Sequence, residues 1–79
     1  MPRKSEGAGS KLPPFFDRQK FLHQTRNMTQ MEVAEVIGKS QSYISYIKSG
    51  KVEILTNDVT PLINQGFGRA EDYINEKYL

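Results

Sequence analysis

The chain has 79 residues, about a quarter of them charged, a net charge of +2 and no cysteine. That length allows one domain with a small core, and the missing thiols exclude disulfide staples, thiolate metal sites and cysteine nucleophiles. No apolar run approaches the roughly 20 residues of a membrane span, and the first residues lack a signal-peptide apolar region, so a soluble cytoplasmic protein is the expectation. The charge is unevenly spread. Residues 1–51 hold nine Lys/Arg and four Asp/Glu (+5), whereas residues 52–79 hold two and five (−3). A basic front and an acidic back suit a chain that offers one face to a polyanion.

Residues 1–14 carry Arg3, Lys4 and Lys11 among Ser, Gly and Pro, with almost nothing apolar. Such a stretch buries too little to offset its ordering entropy, and a disordered basic arm is expected. Pro13-Pro14 then opens a first helix over Phe15 to about Thr25, with Phe15, Phe16, Phe21 and Leu22 as its apolar stripe and Met28 closing the core beyond it. His23, a lone histidine, reads as a surface residue with no metal or catalytic role. Thr29 and Glu32 form the T-x-x-E capping box of a second helix, whose apolar marks are Val33, Ala34, Val36 and Ile37. Gly38 supplies a turn that tolerates left-handed backbone. Ser40 caps a third helix, marked by Ile44 and Ile47 and closed by Gly50. Residues 52–58 read equally as a linker or a short strand. Thr60-Pro61 resembles a cap and first helical position. Gly66-Phe67-Gly68 is a turn with Phe67 against the core, and Arg69 to Leu79 is expected as a last helix on the spacing of Ala70, Tyr73, Ile74 and Tyr78.

Gln30, Ala34, Gly38, Ile44 and Ile47 stand at the spacing of a helix-turn-helix. In this pattern the stretch resembles the Cro/CI, or lambda-repressor-like, DNA-binding family. Each position has a physical reason. Ala34 lets two helices cross closely, Gly38 makes the turn, and the two isoleucines bury one face of the third helix while the other stays outward. The resemblance implies an all-α fold, a small bundle of four to five helices, with residues 15–79 as the DNA-binding domain. It departs from the family at Gln19 and His23, where an apolar residue and an arginine are usual. Phe21 and the Phe15/Phe16 pair then compensate through a rotated first helix.

The resemblance further implies that the third helix enters the major groove of double-stranded DNA with its first residues against base edges. Gln41, Ser42, Ser45 and Tyr46 are then the base readers, led by Gln41, whose amide can pair bidentately with adenine. In relatives the residue matching Gln30 bonds a phosphate and braces the first glutamine of the recognition helix. Thr29, Lys39, Ser40, Tyr43, Lys48 and Lys51 join Gln30 as phosphate contacts. Tyr43 and Tyr46 have a second reading, as aromatic cover for a small core. Relatives bind palindromic operators as homodimers, and Tyr73, Ile74, Tyr78 and Leu79 are the expected dimer surface; the alternative is that these side chains close the monomer core. The expected function is a sequence-specific transcriptional regulator, a phage or bacterial repressor. An antitoxin or a protein-binding adaptor on the same fold is the alternative. No enzyme, metal, cofactor, membrane or small-molecule ligand is expected.

Overall fold

The computed structural model describes residues 12–79; residues 1–11, and with them most of the expected basic arm, lie outside it. Four α-helices follow one another: α1 Arg18–Gln24, α2 Gln30–Ile37, α3 Gln41–Ser49 and α4 Thr56–Asn64. Two short 3-10 turns, Ala70–Asp72 and Glu76–Tyr78, end the chain. Among the described residues there is no sheet, only one isolated antiparallel bridge between Phe16 and Ile74. The fold is all-α, as expected.

α2 and α3 are built by their ends. The Thr29 hydroxyl accepts from the Glu32 N–H (3.1 Å), and the Glu32 carboxylate accepts from the Thr29 N–H (2.8 Å), so two donors of the first turn are satisfied reciprocally. Gly38 stops α2 with φ +74°, where its own N–H and that of Lys39 both reach the Ala34 carbonyl. Ser40 starts α3 by accepting from the Tyr43 N–H (3.2 Å). Gly50 ends it at φ +83°, and a Cβ there would lie 2.5 Å from an Arg18 guanidinium nitrogen. The Arg18 cation therefore lies beside the C-terminal end of α3, where positive charge is favoured.

α2 packs on both α3 and α4. Val33, Ala34 and Ile37 of α2, Ile44 and Ile47 of α3, and Val59 and Leu62 of α4 meet Phe21, Ile54, Phe16 and Tyr73 in one core. Met28 and Phe67 are half-buried against it, as expected.

The first helix is shorter than its pattern suggests. Phe15 and Phe16 are not helical, because their backbone pairs with the end of the chain. The Asp17 N–H donates to the Tyr73 carbonyl (2.9 Å) and the Asn75 N–H to the Phe15 carbonyl (2.7 Å). The same pairing breaks the expected last helix into two 3-10 turns around Ile74. Phe21 is the buried anchor of α1, while Leu22 is half-buried and Gln19 exposed. Residues 52–58 contain no strand: a bend at Lys51 and Val52 leads to α4, which starts at Thr56. Thr60 and Pro61 consequently lie inside α4 rather than at its start.

Two tyrosines tie these pieces together. Tyr73 is fully buried, edge-on to Phe21 at 6.2 Å, with its hydroxyl donating to the Phe67 carbonyl. Tyr43 of α3 donates its hydroxyl to Oδ2 of Asp58 in α4 (2.6 Å). Burial pushes both phenols up to about 12, helped at Tyr43 by the hydrogen bond and charge of Asp58 and at Tyr73 by the charge of Asp72.

Two predictions follow from this architecture. A Cβ at Gly38 would meet nothing within 4 Å, so Gly38→Ala should cost only the left-handed backbone, about 1–2 kcal/mol. Thermal melting should fall by several degrees; an unchanged midpoint would mean that the turn does not require φ > 0. Second, the fold keeps two phenols protonated that the unfolded chain ionises near 10.0. Above that pH the unfolded chain binds fewer protons, so stability is full below about pH 10 and falls as pH rises toward 12. Urea midpoints measured between pH 9 and 12 should decline over that window, and Tyr43→Phe should make the decline shallower.

Candidate nucleic-acid interface

With Ile44 and Ile47 turned into the core, the periodicity of a helix forces the residues between them outward. Gln41, Ser42, Ser45 and Tyr46 are all exposed. Together with Gln30, from the start of α2, they line one shallow depression of about 280 Å³. The four expected base readers and the glutamine expected to brace Gln41 thus share a single surface. Its lining is amide, hydroxyl and phenol, with no carboxylate, and so offers both donors and acceptors to a base edge.

Cations stand at both ends of α3. The Lys39 ammonium lies 5.2 Å from the centre of the Tyr43 ring, before the helix, and that of Lys51 lies 5.5 Å from the Tyr46 ring, after it. Each aromatic face attracts the charge without removing it from water. Thr29 and Ser40 are exposed, and each uses an oxygen lone pair for its cap. Their hydroxyl protons stay available for a phosphate.

Other expected contacts are placed differently. The Tyr43 hydroxyl is already committed to Asp58, so of its two readings the structure favours the packing one. Lys48 lies off the depression, in a neighbouring groove of about 370 Å³ that it lines with Phe21, Arg26, Val33 and Ile44. Gln30 belongs to both surfaces. Arg26, exposed in the turn before α2, is a cation that the motif did not single out because it precedes the matched positions.

The expected dimer surface needs correction. Tyr73 is 0% exposed and belongs to the core, and Ile74 is half-buried in its bridge with Phe16. Tyr78 and Leu79 are exposed. Beside them stands Phe15, half exposed, with its ring 5.4 Å from that of Tyr78. Leu12 is the most exposed large apolar side chain of the described residues. Sequence reasoning missed Phe15 here because it assigned it to the buried stripe of a longer helix.

A helix-turn-helix family model matches residues 24–59, from the last residue of α1 to the fourth of α4. Neither a curated protein nor a solved structure matches the chain. The matched stretch holds the capped α2, the left-handed turn at Gly38 and α3 with its polar outer face. Residues 24–59 are accordingly a DNA-binding helix-turn-helix of the Cro/CI type.

Proposed function

We propose that the chain is a sequence-specific transcriptional regulator, a phage or bacterial repressor of the Cro/CI type. Residues 15–79 serve as its DNA-binding domain and α3 as its major-groove reader. One observation carries this reading: Gln30, Gln41, Ser42, Ser45 and Tyr46 converge on one exposed depression, flanked by the Lys39 and Lys51 ammonium groups. In a groove-bound helix, polar side chains on the outer face meet base edges and cations at the flanks meet phosphates. Base contacts then carry sequence preference, and phosphate contacts carry salt dependence.

One such module makes few base contacts, so a useful operator needs two of them. A homodimer on a palindromic operator meets that need. The exposed cluster of Phe15, Tyr78 and Leu79, with Leu12 nearby in sequence, is the apolar surface that a second copy would cover.

Binding sites selected from random duplex DNA supply the test. Gln41→Ala should cost about 1–3 kcal/mol, concentrated on one base pair of the selected site. Equal weakening on every sequence would remove Gln41 from the readers. Lys39→Ala should weaken specific and random DNA alike and flatten the salt slope by roughly one unit; an unaltered slope would take it off the phosphate list. Sedimentation over a concentration series should show a dimer that Phe15→Ser or Tyr78→Ser dissociates. A monomer at every concentration, free and on DNA, would end the dimer proposal.

A further inference from the structure

We propose that Asp58, a residue of α4 closed to solvent, is a positioning residue for base recognition: through Tyr43 it fixes the rotation of α3 on the domain. The proposal rests on the DNA-binding reading and deepens it.

Asp58 is 0% exposed. Its Oδ2 accepts from two elements at once, the Tyr43 hydroxyl of α3 (2.6 Å) and the Leu55 N–H that precedes α4 (2.9 Å). Its other oxygen is buried with no hydrogen-bond partner among the described residues. A buried carboxylate is costly unless hydrogen-bonded, so its two donors are held firmly.

The apolar anchors of α3 do not make that bond redundant. Ile44 and Ile47 lie three residues apart, on one line along the helix. Apolar contact along a single line resists lifting more than it resists rotation, because it is non-directional. Tyr43 stands about 100° round the helix from Ile44, and its hydrogen bond is directional. It therefore locks the degree of freedom that the isoleucines leave soft. The outer radius of a helix with side chains is roughly 6 Å, so a rotation of about 10° moves a side-chain tip by ~1 Å. That is more than the whole distance range of a good hydrogen bond. Bidentate pairing from Gln41 needs the lock. Long lysine side chains on phosphates can follow a small rotation and do not need it.

Tyr43→Phe and Asp58→Asn test the assignment, with every affinity corrected for the folded fraction seen by circular dichroism. Tyr43→Phe should lose about tenfold on the site selected by the wild-type chain and keep its affinity for random-sequence DNA. Asp58→Asn retains an acceptor oxygen for both donors and should recover part of the preference. Without the carboxylate charge, alkaline absorbance titration of Asp58→Asn should show the Tyr43 phenol ionising at lower pH than in the wild type. A merely structural role would lower binding to both DNAs in parallel, and that result overturns the proposal. So does a variant that keeps full preference, or a phenol that Asp58→Asn leaves unmoved. Should Tyr43→Phe fail to fold, Asp58→Asn alone decides by the same readouts. A wild-type chain that selects no DNA ends the regulator reading and this role together, whereas an altered preference ratio with DNA binding intact touches the role of Asp58 alone.

Discussion

Everything at the proposed DNA surface depends on a nine-residue helix held by one face. A helix as short as α3 is not stable by itself in water, since nucleation is unfavourable and few hydrogen bonds follow it. Burying Ile44 and Ile47 removes two large side chains from water, worth about 1.5–3 kcal/mol each. The ends contribute in other ways: a serine cap, a glycine stop and the Arg18 guanidinium beside Gly50. No other side chain of α3 is fully buried. The division explains how so small a domain can leave most of a helix to solvent. Stability is drawn from one stripe and from the two termini, and the outward residues are free of packing duties.

The neighbouring helices show which kinds of information are local. α2 and α3 were readable because their signals act over three or four residues: a threonine with a glutamate three on, a serine before its helix, glycines where φ must be positive. Gln41, Ser42, Ser45 and Tyr46 were readable for the same reason, since the positions of Ile44 and Ile47 dictate which side chains face out. The two ends of the chain were not. Phe15 and Phe16 carry an apolar pattern that fits a helix, and so do Ala70, Tyr73, Ile74 and Tyr78. What overrides both patterns is their pairing with each other, across more than fifty residues. A single extended bridge satisfies backbone groups of both segments and prevents either from closing its helix. Nothing in a local window can report that.

α4 illustrates the same limit in a milder form. Thr60-Pro61 has the look of a helix start, yet Pro61 sits in the helix interior. There it removes one hydrogen bond and crowds the carbonyl four residues back. The real start is fixed by Asp58, whose carboxylate takes the Leu55 N–H. In sequence this aspartate lies in an unremarkable polar stretch, Thr56-Asn57-Asp58, of the sort that usually marks a turn. Its significance comes from the Tyr43 hydroxyl, fifteen residues earlier. The Tyr43 hydroxyl, expected at a phosphate, donates instead to an acceptor that was invisible from α3 alone. Val59 and Leu62, buried on either side of the proline, supply the packing that tolerates it.

The electrostatic layout has a geometric consequence for the proposed complex. α3 spans nine residues, about 13 Å at 1.5 Å per helical residue, and Lys39 and Lys51 stand just before and just after it. The major groove is about 12 Å wide. A helix lying in that groove would therefore carry its two flanking cations beyond the bases, toward the phosphates on either wall. Each lysine stems over a tyrosine ring, which limits its wandering without burying its charge. The acidic excess of residues 52–79 belongs wholly to segments that follow α3. Within it the carboxylate of Asp58, which meets Tyr43 of the reading helix, is enclosed and hydrogen-bonded. A negative charge placed instead on the outer face would repel the duplex at short range. Enclosed beneath Tyr43, the same charge orients the helix and remains out of contact with DNA.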